Sequence, residues 1–419
     1  MTLISPDLEA VARVGSEPWG FWLDSSLPDA RQGRHSFAGR RPSFVMRCWG
    51  RRVELSSPGG SRTCLDADPF EVLRGLLNER AGRDGMVAGY FGFGLARHIE
   101  DLPSMAAEDL GLPDCSLGFY EDVAVFDPGV FAPGVGASIR HPPFDALASS
   151  FSRAGYRRAV ARCLDYIRAG DIYQVNLSQR FEADCPRPPI EVYRALRRLS
   201  PAPYGAIFTF PDFTLLSSSP ERFLHYDPVS RVVETRPIKG TRPRGRDAQE
   251  DLALARDLMA SGKDRAENLM IVDLERNDLG RVAEVGSVEV PELFGLESYA
   301  SVHHLVSTVR CRLRPDCDAI DLLRATFPSG SVTGAPKLRA MQIIDELEPV
   351  ARGPYTGAMG YIGFDGRVDL NVAIRIMVIK EGRAYFHVGG GIVADSDPEA
   401  EYQETLDKGA ALARVLAAD

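Results

Sequence analysis

Lys239 lies in the segment ETRPIKGTRPRG (234–245), with Arg236, Arg242 and Arg244 close by. Crowded cations repel one another, and that repulsion lowers a lysine's pKa toward the range where its neutral amine is a nucleophile. The same residues could equally form a solvated basic loop. Two acidic pairs have the spacing for joint action. Asp264 and Glu267, in DRAENLMIVDLERNDLG, are three apart on a predicted helix and share a face. In DPEAEYQETLDKG, Asp397 is the expected N-cap and Pro398 the first helical residue, which puts Glu401 and Glu404 on one face of the first turn. Each pair alone reads as solvated surface. Together they could converge on one divalent ion, and few hard oxygen donors suit Mg²⁺, which keeps waters and takes substrate oxygens.

Other positions invite ligands less directly. The Gly/Ser-rich turn FPSGSVTGAPK (327–337) offers backbone N–H groups to a carboxylate or phosphate, and it lacks the spacing of a nucleotide P-loop. GGG at 389–391 either lets a ligand approach the backbone or makes a plain strand-to-helix turn. Arg375 sits in the apolar strand DLNVAIRIMVI and must find an anion there, from a structural ion pair or from a substrate carboxylate. His304, in the apolar run SVHHLVS, reads by itself as structural.

These residues need a frame. The chain has 419 residues, 44% hydrophobic and 26% charged, ample for a large core. Its net charge of −9 argues against nucleic acid as the main partner, so any anionic ligand needs a local basic pocket. The seven cysteines (48, 64, 115, 163, 185, 311, 317) are scattered without a CxxC pair, as expected of reduced thiols in the cytoplasm. The start, MTLISPDLEAVARVG, has no apolar core of a signal peptide, and no run of about 18 apolar residues predicts a membrane span. Residues 1–140 read as β-rich, with a connection at 127–143. Beyond it the pattern predicts a helix over 156–170, the strand IYQVNLSQRFEA and a second helix EVYRALRRLS. The strands YGAIFTF and FTLLSSS follow, then a long helix over 248–279 and a helix over 337–347. Strands at 357–364, 368–379 and 384–393 and a helix over 398–417 close the chain. GYFGFG (89–94) is echoed by GYIGF (360–364). The pattern predicts an α+β (α/β) fold, sheets packed on each other with helices outside.

In this order the segments IYQVNLSQRF, SSSPERF, PIKGTRPRG, DRAENLMIVDLERNDLGRV, HHLVSTV, FPSGSVTGAPK, GPYTGAMGYIGF, NVAIRIM and GGGIVADSDPEAEYQETLDK closely resemble the chorismate-utilising enzymes. That family comprises the anthranilate, aminodeoxychorismate, isochorismate and salicylate synthases. The match is dense over 141–419, the chorismate-binding region, and looser over 1–140, where GRHSFAG and GYFGFGLARHIEDLP resemble the anthranilate and aminodeoxychorismate branch. The resemblance implies one large composite unit of two antiparallel β-sheets packed together, helices outside and the site between them. It implies Mg²⁺ on Glu267 and Glu404, with Asp264 and Glu401 in support; Asp264 stands where many members have glutamate. Tyr355 and Arg375 match the residues for the enolpyruvyl carboxylate, with Gly391, Ser331, Thr241 and Gln174 lining the same pocket. Glu221 matches the general acid for the departing C4 hydroxyl, and His304 the histidine facing the substrate.

Two positions divide the family's branches. Gln174 stands where the isochorismate- and salicylate-forming members have a lysine base, so water is not the expected nucleophile. PIKGT, where anthranilate synthases usually read PIAGT, makes Lys239 the mark of the aminodeoxychorismate-forming branch. There the amine is thought to attack C2 and be displaced by ammonia at C4. None of the cysteines lies in a Gly-rich elbow, so ammonia is expected from a separate glutamine amidotransferase subunit. The family's tryptophan-binding LLES signature is only faintly echoed by LDSS (23–26). The alternatives are anthranilate synthase component I and a non-catalytic small-molecule-binding protein.

Overall fold

Strands buried on both faces set the architecture. Met86–Phe91 (MVAGYF) and Cys115–Tyr120 (CSLGFY) are buried at every position. Successive side chains on a strand point to opposite faces. Met86, Ala88 and Tyr90 accordingly pack with Phe21, Phe208 and Leu215 of another sheet. Val87 and Phe91 pack instead with the helical residues Phe70, Leu73, Val272 and Leu323. One face builds the core between two sheets, and the other builds the core beneath the helices.

The computed structural model describes residues 8–27, 32–33, 35–57, 60–127, 144–299 and 302–417; all but the first residue of the connection at 127–143 falls outside them. The described residues form a ten-stranded and a twelve-stranded sheet whose strand pairs are antiparallel. Strands from both sides of residue 140 share each sheet. Helices Leu8–Ser16, Pro189–Leu199 and Pro398–Ala417 cover the outer face of the smaller sheet. Helices Pro69–Asn78, Gly262–Gly280 and Ala319–Thr326 cover that of the larger. This is the expected pair of antiparallel sheets with helices outside. The echoed glycine segments are neighbours, Met359 opposite Tyr90 and Gly360 opposite Gly89. No described helix is long and apolar enough to cross a membrane.

Two predicted elements divide. The expected strand over 368–379 is two strands in different sheets: Val368–Val372 belongs to the larger and Ile376–Lys380 to the smaller. The chain crosses between them at 373–375, where Arg375 takes a left-handed conformation (φ 50°). Periodicity misses this break because both halves are buried and no Gly or Pro marks it. A second crossing joins Thr214–Ser219 of the smaller sheet to Arg222–Asp227 of the larger through Pro220 and Glu221.

The expected helix over 248–279 is likewise two, Ala248–Ala260 and Gly262–Gly280. Ser261 leaves helical geometry (ψ 109°), and its hydroxyl accepts from Asp264 N at 3.2 Å, capping the second helix. A serine cap contributes about 1 kcal/mol, whereas alanine leaves the amide unsatisfied. Ser261→Ala should therefore lower the unfolding free energy by ~1 kcal/mol in urea titration, while Ser261→Asp should hold it near the parental value.

Candidate active site

Lys239 is carried by Ile238–Pro243, an edge strand of the larger sheet paired with Val302–Arg312. The register slips between Ile238 and Thr241, and Gly240 takes φ +87°. A Cβ on Gly240 would lie 2.9 Å from Asp264 Cβ, so the bulge needs glycine for both conformation and space. The bulge directs Lys239 inward, where Nζ donates to Ser331 O at 3.0 Å.

Glu221, at one inter-sheet crossing, is buried beside it and accepts from Ile238 N at 3.4 Å. Its carboxyl also feels the charge of Lys239. Arg375, at the other crossing, senses Glu221. No described carboxylate lies within ion-pair range of Arg375, so an anion from outside the chain would complete it. Burial lowers its pKa, which Glu221 opposes.

The arginine crowding expected around Lys239 is not what lowers its proton affinity. Arg236 pairs with Glu297 and Glu292, Arg242 with Asp257 and Asp264, and Arg244 with Asp251. The Lys239 pKa is lowered first by burial and further by Lys408, against Glu267, Glu221 and Glu404. Glu221 is pushed above the usual carboxylate range, also by burial. An amine of lowered proton affinity is thus near a carboxyl of raised proton affinity, the direction that paired nucleophile and acid require.

The carboxylates come from two helices. Asp264 and Glu267 are in the first turns of Gly262–Gly280, and Glu401 and Glu404 in Pro398–Ala417. Asp397 caps the latter through Glu399 N and Ala400 N, at 3.0 and 2.9 Å. The three glycines 389–391 lie inside the strand Arg383–Ile392, which replaces the strand-to-helix turn reading. A Cβ on Gly390 would lie 3.1 Å from Glu404 Oε1 and 3.2 Å from Glu401 Oε2, so the bare backbone lets both carboxylates approach. Burial raises the pKa values of Glu267 and Glu401, and Glu404 adds to each. Burial also acts upward on Glu404, but its bond to Lys408 Nζ (2.7 Å) leaves it lowered. Asp264 pairs with Arg242 at 3.0 Å and adds to the upward push on Glu267.

Among the described residues no three His, Cys, Asp or Glu side chains are close enough to hold a metal as they stand. The donor set nevertheless fits a hard divalent ion. Its oxygens face one another across two helices, and Glu401 Oε2 is buried with no hydrogen-bond partner. Lys263 and Lys408, neither singled out from sequence, supply the neighbouring positive charge. Lys408 was legible as the i, i+4 partner of Glu404.

The remaining predicted residues flank this group. Gln174 is fully buried on Gln174–Asp184, with neither side-chain polar atom bonded, and a Cβ on Gly391 would lie 2.8 Å from its Nε2. His304 is buried with Nδ1 2.9 Å from Thr241 Oγ1, its register partner across the sheet. Tyr355 stacks on His387 at 5.2 Å, and the next residue, Thr356, bonds Ala373 O at 2.8 Å, which ties its turn to the Arg375 crossing. FPSGSVTGAPK does receive a carboxylate, that of the chain's own Glu275, through Ser329 Oγ and Gly330 N. A cavity of about 590 Å³ lies elsewhere: Leu23, Asp24 and Ser25 of the LDSS stretch line it with Tyr204, Arg222 and Asp369, and none of the predicted site residues does. Displaced ionisable groups, rather than volume, mark the reactive region.

Fold and site together define a chorismate binding enzyme. That family matches residues 29–414, and the chain belongs to it. Among its relatives, the chain is 46% identical to aminodeoxychorismate synthase component 1 of Salmonella typhimurium, over 95% of this chain and 93% of that one. It is 42% identical to anthranilate synthase component 1 of Thermus thermophilus, over 95% and 92%. The crystal structure of anthranilate synthase component I from Streptococcus pneumoniae superposes with a TM-score of 0.78 at 32% identity, covering 93% of each chain.

His304 links the site to stability. Burial, with Arg375 adding, lowers its pKa from 6.5 to about 3. Between those values the unfolded chain binds a proton that the native state refuses, so stability falls as pH falls. In urea unfolding, the parent should lose up to ~1.4 kcal/mol per pH unit relative to His304→Gln over that window and match its slope above it. Parallel profiles throughout would show that His304 is not held neutral.

Proposed function

We propose that this chorismate-utilising enzyme is an aminodeoxychorismate synthase component I, forming 4-amino-4-deoxychorismate for para-aminobenzoate and folate synthesis in the cytoplasm. The observation that carries the reading is Lys239: a partly buried lysine with lowered proton affinity near Glu221, at the position that separates this branch. The 46% identity to a relative of that name agrees with it.

In this reading Arg375 and Tyr355 hold the enolpyruvyl carboxylate, where a guanidinium offers a two-pronged fork. Gly391, Ser331 and Thr241 shape the pocket, and neutral His304 faces the ring. Neutral Lys239 attacks C2, both ring double bonds shift by one position toward C4, and Glu221 protonates the C4 hydroxyl as it leaves as water. Ammonia then attacks C4, the double bonds shift back and Lys239 is expelled. Gln174 cannot take a proton from water, which keeps hydrolytic chemistry out. Glu267 and Glu404, with Glu401 behind them, would hold Mg²⁺, which would supply positive charge for the ring carboxylate and for the charge that develops on it. The name component 1, shared by the relatives, supports a separate glutamine amidotransferase subunit as the ammonia source.

The Thermus relative keeps anthranilate synthase component I as the competing reading, on the same scaffold with pyruvate lost after amination at C2. Chorismate, Mg²⁺ and ammonium should yield 4-amino-4-deoxychorismate as the main product; anthranilate in its place would overturn the assignment. Without ammonia, mass spectrometry should find a protein adduct of chorismate less water on Lys239. Lys239→Ala should lose the adduct and at least ~10²-fold of the product rate, the scale of a lost reactive group.

A further inference from the structure

Among the described residues Lys239 Nζ has one hydrogen-bond acceptor, the backbone carbonyl of Ser331 at 3.0 Å. That carbonyl sits in the turn over 329–333, which is held at both ends. Glu275, on the helix Gly262–Gly280, holds the start: its Oε1 accepts from Gly330 N at 2.9 Å and from Ser329 Oγ at 3.0 Å. A Cβ on Gly330 would lie 3.3 Å from that oxygen, so bare backbone lets the turn settle on the helix. Arg352 holds the other end, where its Nη1 donates to Val332 O at 3.2 Å. Within the turn, Ser329 Oγ accepts from Ser331 N at 3.3 Å, and Thr333 Oγ1 donates to Ser329 O at 3.0 Å. Glu275, Ser329 and Ser331 are all buried, so the direction of the Ser331 carbonyl is fixed before any ligand binds.

The proposed reaction places a cation on the Lys239 nitrogen. When the neutral amine bonds C2 it keeps both hydrogens and becomes a secondary ammonium, while the Glu221 proton leaves with the C4 hydroxyl as water. When ammonia bonds C4 and the C2–N bond breaks, the lysine nitrogen takes the bonding pair back and departs as a neutral amine. Had it lost a proton in between, it would have to leave as an amide anion, a far poorer leaving group. A backbone carbonyl meets both needs, because it accepts an N–H and does not take the proton at neutral pH. A hydrogen bond from an ionised donor is roughly twice as strong as one from a neutral donor. The carbonyl therefore favours the charged adduct over the free amine.

We propose that the Ser331 carbonyl stabilises the positive charge that develops on Lys239, and that Glu275 is the positioning residue that aims it. Glu275 bonds neither the lysine nor the other predicted site residues and acts through the turn alone. Its second carboxyl oxygen is buried without a partner, so only the oxygen beneath the turn makes hydrogen bonds. Burial, with Asp278 adding, raises the Glu275 pKa against Lys337, Ser329 and Gly330. A neutral glutamine that keeps the accepting oxygen is therefore a fair stand-in for it.

The inference rests on Lys239 being the nucleophile, and mass spectrometry of adduct formation, with chorismate and Mg²⁺ but no ammonia, separates the two. Glu275→Leu removes the accepting oxygen and keeps an apolar side chain in the buried space. Shown folded by circular dichroism, it should form the Lys239 adduct about tenfold or more slowly at saturating chorismate, toward the ~10²-fold cost of a misplaced reacting group. Its half-saturating chorismate concentration should stay within about twofold of the parent's, because the carbonyl acts on the transition state rather than on bound substrate. Glu275→Gln should recover most of the lost rate. A folded Glu275→Leu variant with the parental rate would overturn the proposal. So would a half-saturating concentration that rises in step with the loss of rate, or a Glu275→Gln variant as slow as Glu275→Leu, since the residue would then merely shape the pocket. If Glu275→Leu does not fold, Ser329→Ala decides by the same two measurements, because it removes a donor to Glu275 and the acceptor for Ser331 N. A parent that forms no adduct on Lys239 would sink the covalent reading itself, and this proposal with it.

Discussion

The structure depends on holding ionised groups of both signs in the seam between two sheets. Lys239, Glu221 and Arg375 are drawn out of water there, and Glu267, Glu401 and Glu404 gather beside them. Burial disfavours every charged form, so each group moves toward neutrality unless a partner restrains it. That one penalty makes the lysine easier to deprotonate and Glu221 harder. It also leaves Arg375 without a carboxylate in ion-pair range among the described residues, while Lys408 and Lys263 offset part of the charge of Glu404 and Glu267. The site is destabilised in the way that prepares it for ligands.

Such strain persists only in a rigid frame. Two large sheets share a core of Phe21, Tyr90, Phe208, Phe213 and Met359, and helices close both outer faces. Two of the crossings between the sheets carry a site residue, Glu221 at one and Arg375 at the other. Buried polar networks fix the approaches: Arg352 binds Glu348, Asn176 O and Val332 O, tying the Gln174 strand to the Ser331 turn. Asn268 bonds Leu305 O and Ser307 and seats the Glu267 helix on the His304 strand. Fully satisfied networks of this kind specify position more than they add stability.

Because the frame is common to the family, chemistry is decided by few side chains. Relatives named for two different products stand at comparable identity to this chain, and a scaffold shared so widely cannot itself choose between them. In the proposed reading the choice falls to Lys239 and Gln174 foremost, and to the groups that set the protonation of Lys239.

The sequence by itself determined most of the elements, the class of fold and the candidate residues of the site. Period-two and helical patterns, caps such as Asp397 and runs buried on both faces are local properties, and Lys239 and the paired carboxylates are legible as residue types at fixed spacing. What burial and crossing decided could not be read there. The nearest charges in sequence to Lys239, three arginines, are each neutralised by acids brought from elsewhere, while Lys408, far along the chain, acts on its amine. The run at 368–379 looks like one strand because burial erases the polar alternation that would reveal a change of sheet. Glu275 reads as one more helical acid until the fold lays the Ser329 turn over it. Local geometry follows from backbone sterics and side-chain period, but desolvation and charge pairing follow from distance in space, which only the tertiary structure sets.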